Sequence, residues 1–322
     1  MIIINNLAIG SFFAGVGGIE LGFQQAGFDN VVYANEFDKY AQKTYSQNHS
    51  GVSLDKRDIC DVKPEECPHM DIIIGGFPCQ AFSIAGLQKG FDDQRGLMFF
   101  EMMRFIEYNK PQIVFFENVK NLVKHNKGET FQVICQILEN AGYNITYKVL
   151  NACDYGNIPQ NRERIYIIGF LNKKQFDNFE WPEKIPLTKK IQDVIDFNNP
   201  VDEKYIYLPG KFAGNIYEKL DEAIDNKDAV YQWRRKYVRK NKSGLIPTLT
   251  ANQGGGGHNV CIIKDNNNNI RKMTPRECFN AQGFPSNFVL DDISDSQLYK
   301  QAGNSVCVPV IKRIAEQIKK TF

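Results

Sequence analysis

Residues 75–83 read Gly-Gly-Phe-Pro-Cys-Gln-Ala-Phe-Ser. Residues 72–76 have the composition of a buried strand running into glycines, and Pro78 stiffens the backbone just before Cys79. A cysteine just past the carboxyl end of a parallel strand sits where open α/β sheets hold their ligands. A lone cysteine is most often a small packing residue. Cys79 becomes a candidate nucleophile through the rest of the chain. Glu117 closes the apolar run 113–116 and begins Glu117-Asn118-Val119. A buried carboxylate is costly unless something pairs it. Glu117 is therefore either a helix-capping acid or a group sharing a cleft with Cys79. Gln160-Asn161-Arg162-Glu163-Arg164 leads into another apolar run, 165–170. In a strand of period two, Arg162 and Arg164 project to the same side, where two guanidiniums suit an anion or a carboxylate. Thiol, acid and cations together suit covalent catalysis. A thiol with a pKa of about 8.5 needs a nearby cation or helix N-terminus to ionise at neutral pH.

A second constellation points to a bound small molecule. Phe13-Ala14-Gly15-Val16-Gly17-Gly18 follows the first apolar run and opens a helical pattern. Glycines there let a ligand approach the backbone beside a helix N-terminus. Glu36 ends the next apolar run, where a carboxylate can hold ribose hydroxyls. A dinucleotide fingerprint needs a third glycine, and Glu20 stands in its place. A carboxylate there would oppose a pyrophosphate, so a nucleoside without phosphates fits better, S-adenosylmethionine above all. Asp58, with Ile59, could accept from an adenine amino group or could be a surface turn aspartate.

The elements that must position these residues follow a strand-then-helix rhythm over the first 170 residues. Strand candidates are 7–13, 31–34, 72–74, 113–116, 147–150 and 165–170, with helical patterns at 19–26, 39–47, 96–108 and 130–140. That alternation predicts an α/β fold, a doubly wound, mostly parallel sheet with helices on both faces. After residue 170 the rhythm breaks, with prolines at 182, 186, 200 and 209. A basic run, Arg234 to Lys240, and four glycines, 254–257, follow before a helical pattern at 306–318. Residues 1–185 plus 290–322 are thus expected to form the catalytic, cofactor-binding domain, and 186–289 a second, smaller one.

The 322 residues are 43% hydrophobic and 24% charged, with a net charge of +2, so nucleic-acid affinity would need a local patch. No apolar run approaches the roughly 18 residues of a membrane helix, and the N-terminus lacks the features of a signal peptide. A cytoplasmic protein is expected. Its eight cysteines form no Cys-x-x-Cys pair, and Cys60, Cys67 and His69 lack the second ligand pair of a zinc site. No metal is expected.

These groups together support one specific chemistry. A thiolate can add to C6 of a cytosine, which makes C5 nucleophilic. A carboxyl group holding N3 and the exocyclic amine favours that addition. C5 then attacks a sulfonium methyl, a base removes the C5 proton, and the cysteine leaves.

The chain resembles the bacterial DNA cytosine-5 methyltransferases of type II restriction–modification systems. The resemblance rests on Phe13 to Gly18, Asn35-Glu36-Phe37-Asp38, Asp58-Ile59, Gly76-Phe77-Pro78-Cys79-Gln80, Glu117-Asn118-Val119, Gln160 to Arg164, Arg276-Glu277-Cys278 with Gln282-Gly283-Phe284-Pro285, and Gly303-Asn304-Ser305-Val306. They stand in the family's order and span residues 12–310. The resemblance implies an S-adenosylmethionine-dependent, Rossmann-like fold with a target-recognition domain. It implies Cys79 as the nucleophile, Glu117 as the cytosine-holding acid, and Arg164 with Arg162 orienting base or glutamate. Phe13, Gly15, Gly17, Gly18, Glu36, Phe37, Asp58, Ile59, Pro78, Asn304 and Ser305 would surround S-adenosylmethionine, which leaves as S-adenosylhomocysteine. Phe37 would pack on the adenine. Ser11 stands where the family usually carries an aspartate.

Residues 80–96 resemble the family's mobile catalytic loop, with Gln80, Ser83, Lys89 and Arg95 available to DNA. A target base must leave the duplex for such chemistry. In the second domain, Arg234, Arg235 and Arg239 would form a phosphate-binding stripe, or else a solvated charged face. Thr248, Thr250 and Asn252 resemble the element that enters a groove. The expected partner is double-stranded DNA bound by a monomer, with any cognate restriction endonuclease acting separately. Alternatives are a tRNA cytosine-5 methyltransferase on the same catalytic domain and an inactive DNA-binding relative. The missing third glycine argues against a nucleotide-dependent oxidoreductase.

Overall fold

The computed structural model describes residues 6–78, 97–211, 215–234, 236–253 and 259–322. In chain order its strands are β1 (Ile9–Phe12), β2 (Val31–Asn35), β3 (Ser53–Asp55), β4 (Ile72–Gly75), β5 (Ile113–Val119), β6 (Asn144–Asn151), β7 (Gln160–Asn161), β8 (Glu163–Phe170), β9 (Tyr231–Trp233), β10 (Val238–Lys240), β11 (Ile246–Pro247), β12 (Cys261–Lys264) and β13 (Ile270–Lys272). Its helices are α1 (Gly18–Gln25), α2 (Lys39–Asn48), α3 (Leu97–Asn109), α4 (Glu129–Asn140), α5 (Ala152–Tyr155), α6 (Lys173–Asn178), α7 (Ile216–Ala223), α8 (Pro275–Asn280), α9 (Asp295–Asn304) and α10 (Val308–Lys319). They divide into two compact units, one of 1–150, 163–183 and 310–322, the other of 151–162 and 184–309.

The first unit is built on a seven-stranded sheet of order β3-β2-β1-β4-β5-β8-β6. β1 to β5 pair in parallel, and β8 runs antiparallel to β5. The strands are apolar on both sides because both faces are covered, as parallel sheets require. Phe115 meets Phe23 of α1 edge-on at 5.2 Å, while Phe12 meets Phe105 of α3 at 4.6 Å. α10 carries Ile311, Ile314, Ala315 and Ile318 on one buried stripe, the 3.6-residue spacing already legible in the sequence. It lies so close to α1 that a Cβ on Gly22 would fall 2.5 Å from Ile311 Cβ. The sheet order reverses between β1 and β4, the switch point at which such sheets bind ligands.

The second unit carries a four-stranded antiparallel sheet, β10-β9-β12-β13, and a short parallel pair, β11-β7. Leu220, Ile224, Tyr231, Ile262 and Ile270 form the core on one face of that sheet. Elsewhere in the unit fully buried Arg271 is held by Glu277 at 2.9 and 2.8 Å. Glu277 also completes a capping box with Thr274 at the start of α8. The unit takes in more chain than 186–289, adding 151–162, 184–185 and 290–309. The 151–162 segment belongs there because Gln160 donates to the Ala281 carbonyl at 2.6 Å and Arg162 bonds to other carbonyls of the same unit.

Candidate active site

In the first unit the described residues expected at the site gather at the carboxyl ends of β1, β2, β4 and β5. β1 stops at Phe12 rather than at 13, because Phe13 turns to a left-handed φ of 53°. Gly15 (φ 59°) and Gly17 (φ 84°) continue the turn, and these angles suit glycine. A Cβ on Gly17 would also lie 1.9 Å from His49 Nε2. The Glu36 carboxylate holds the turn in place. One oxygen accepts from Gly15 N at 2.7 Å and the other from Asp38 N at 2.7 Å. Burial raises its pKa, and those backbone donors pull it back. The Phe37 backbone N–H also bonds this carboxylate, which with its roughly four acceptor sites keeps capacity for a ligand hydroxyl. Asp38 caps α2 through Tyr40 N and Ala41 N. Next to Glu36 stands Phe37, an aromatic ring left 68% exposed.

Asp58 caps the short 3₁₀ turn Ile59–Asp61 by accepting from Cys60 N at 3.0 Å. Ile59 is buried beneath it. The turn role weighed for Asp58 is thus present, and its exposure is intermediate.

β4 pairs with β5 only as far as Gly75↔Phe116, while β5 runs on against β8 through Val119↔Arg164. Glu117 therefore stands one residue beyond the end of β4. It is 8% exposed, and its Oε1 lies 3.1 Å from Arg164 Nε. Glu117 pairs in register with Tyr166, so Arg164 is its diagonal neighbour on the same face. Glu117 is thus a strand residue with a cation, not a helix cap. A Cβ on Gly76 would sit 3.6 Å from Glu117 Oε2, so the glycine leaves the carboxylate open toward the end of β4. Asn118, buried, donates to the Phe77 carbonyl at 2.9 Å and ties the segment before Pro78 to β5. Pro78 is exposed.

Arg162 does not share the side of Arg164. The strand is interrupted between β7 and β8 at residue 162, so the expected alternation does not run through it. Arg162, 3% exposed, belongs to the second unit, where it donates to the carbonyls of Leu249 (3.0 Å), Gly303 (3.3 Å) and Ser305. Thr248 Oγ1 donates to the Asn161 carbonyl at 2.6 Å. Thr250 is half-buried and Asn252 exposed; Asn304 is exposed and Ser305 buried. Arg234 donates to Asn259 Oδ1 and Arg239 to Gln232 Oε1. Both partners are neutral amides, so neither contact compensates the charge.

The C-5 cytosine-specific DNA methylase family pattern matches residues 7–320. The chain belongs to that family. It is a DNA cytosine-5 methyltransferase with an S-adenosylmethionine-dependent methyltransferase fold. Similar relatives include the type II methyltransferase M.Bsp6I of Bacillus sp. (strain RFL6), 53% identical over 317 residues, 98% of this chain and 99% of the relative. The type II methyltransferase M.HhaI of Haemophilus parahaemolyticus is 38% identical over 324 residues, 95% of this chain and 92% of the relative. Among solved structures, a DNMT2 mutant of Spodoptera frugiperda superposes with a TM-score of 0.73 over 98% of this chain and 100% of that one, at 20% identity. That likeness concerns the fold.

Several expected site residues of this methyltransferase, Cys79, Gln80, Ser83, Lys89, Arg95 and Arg235, lie outside the described residues. The sequence reading missed other groups. In the sequence Asn118 stands out only as part of a motif. In the sequence Glu20 reads as a charge at the glycine turn, yet it is fully buried among Ser11 and Tyr45, and burial pushes its pKa up to about 7. Tyr45 stacks on His49 at 4.4 Å. The signal for Glu20 is its place with Ile19 and Phe23 on the apolar stripe of α1, where an acid must be buried.

Proposed function

We propose that Cys79 is the nucleophile and Glu117 the cytosine-holding acid of this methyltransferase, with Arg164 orienting Glu117. The observation that carries the reading is the Glu117–Arg164 pair, one residue past the end of the strand that leads through Gly76 and Pro78 to Cys79. Arg164 keeps the carboxyl group oriented, and Glu117 holds N3 and the exocyclic amine of the cytosine. The Cys79 thiolate forms a bond to C6, and the electron pair released reaches C5. After C5 has gained its methyl group, its proton is lost to a base and the C6–S bond breaks, returning the thiolate.

S-adenosylmethionine fits the first unit's switch point. The left-handed glycine turn admits a ligand close to the backbone, Glu36 retains acceptor capacity, and exposed Phe37 offers an apolar face to an adenine. Gly15, Gly17, Gly18, Phe13, Glu36, Phe37, Asp58, Ile59 and Pro78, with Asn304 and Ser305, would hold it; bound there it supplies a sulfonium methyl. The substrate read is a short sequence in double-stranded DNA from which the cytosine is flipped. The second unit serves target recognition through Arg234, Arg239, Thr248, Thr250 and Asn252. The protein acts as a cytoplasmic monomer within restriction–modification, with any endonuclease separate. Among the described residues no helix is long and apolar enough to cross a membrane.

The test incubates wild type and Cys79→Ala with S-adenosylmethionine and an unmethylated plasmid, followed by bisulfite sequencing. Protected cytosines at one recurring short sequence, absent with the variant, are expected. Full conversion in both samples overturns the DNA reading and sends the same assay to tRNA.

A further inference from the structure

Two segments of the second unit, each with one exposed asparagine (Asn252 and Asn304), are assigned to different ligands, 248–252 to DNA and 304–305 to the cofactor. The structure builds them into one body. The Arg162 guanidinium donates to the Leu249 carbonyl on one side, between Thr248 and Thr250. On the other it donates to the carbonyls of Gly303 and Ser305, which flank exposed Asn304. Each clasp thus falls inside a segment assigned to a ligand. A second contact joins the same pair without Arg162. A Cβ on Gly303 would lie 2.2 Å from the Thr250 carbonyl carbon and 2.4 Å from Ala251 N, so the last turn of α9 sits directly on that peptide. Gln253 Nε2 adds a bond to the Tyr299 carbonyl at 3.5 Å.

We propose that Arg162 is a positioning residue that links the DNA-side segment 248–252 to the cofactor-side turn 303–305, so that filling either site favours filling the other. The inference rests on the assignment of those segments under the proposed function. Arginine suits the task because its planar fork carries five donors in fixed geometry and reaches several carbonyls at once. Lysine offers a point charge on a flexible stem and cannot fix two segments in register. A ligand that orders one segment orders its partner through the fork, and the second ligand then meets a segment already in place. Linkage makes the effect reciprocal.

The experiment measures the dissociation constant of a duplex carrying the site mapped by bisulfite sequencing, with and without saturating S-adenosylhomocysteine. The wild type is expected to bind DNA at least about fivefold tighter with the cofactor product present, the lower range of such couplings. Arg162→Lys should bring that ratio close to one. Gly303→Ala should do the same by displacing the 250–251 peptide, and it carries the test if Arg162→Lys does not fold. Thermal unfolding identifies folded variants. A merely structural arginine would lower the melting temperature and leave the ratio alone. A folded variant that keeps the wild-type ratio, or a wild type without coupling, overturns the proposal. Failure of the wild type to bind either ligand would overturn the functional reading itself, and the proposal with it.

Discussion

Glu117 Oε1 and Arg164 Nε lie 3.1 Å apart across the antiparallel pairing of β5 with β8 in the large sheet. The two side chains are 10% and 14% exposed. Because β8 reverses direction, its first residues reach the carboxyl end of β5. That reversal brings the start of one strand to the edge where the parallel strands end.

Glu117→Gln keeps the shape and removes both the charge and the acid. Single-turnover methyl transfer should fall by roughly 10²–10⁴, the range for losing a positioned acid. A rate within a few-fold of wild type would take Glu117 out of the chemistry.

Glu20 gives a pH signature to stability. Its pKa is raised by burial from 4.5 to about 7. Between those values the unfolded chain releases the proton and the folded one keeps it, so stability falls as pH rises through this window. The fall is on the order of 3 kcal/mol when complete. Glu20→Gln should flatten it and be more stable than wild type at pH 8. Parallel urea-denaturation profiles of the two proteins from pH 5 to 8 would reject the assignment.

Gly17→Ala meets two obstacles, a φ of 84° and the His49 ring at the position of the new Cβ. A loss of about 2 kcal/mol or more in unfolding free energy is expected. Affinity for S-adenosylhomocysteine, measured by calorimetry, should drop with it. Unchanged stability would mean that the turn and His49 yield easily.

Arg234 and Arg239 donate to the neutral amides of Asn259 and Gln232, whereas Lys240 pairs with Asp225. Arg234→Ala with Arg239→Ala should make the salt dependence of DNA binding shallower, by about 1 in logarithmic slope for each phosphate no longer neutralised. Lys240→Ala should change it less. Identical slopes for wild type and the double variant would place the two arginines away from phosphates.

Much of the molecule was legible in the chain itself. Strands 31–34, 72–74, 113–116 and 165–170 and the helices near 19–26, 39–47 and 130–140 follow from local periodicity and from caps such as Asp38. The ordered motifs carried the family. Boundaries moved where backbone strain decided them, as at Phe13, whose φ of 53° no propensity announces.

What the sequence alone determined was the set of reactive groups and the strand-and-helix rhythm that carries them, because residue types and short-range spacing are local properties. Which group each charge meets was decided by tertiary structure. Arg162 and Arg164 are two residues apart, yet one holds the carbonyls of residues 249, 303 and 305 and the other holds Glu117. An interruption of one residue between β7 and β8 makes the difference, since each strand is paired to a different sheet. Glu20 shows the same limit, because burial sets the proton affinity of a carboxyl group, and burial is a property of the packed fold.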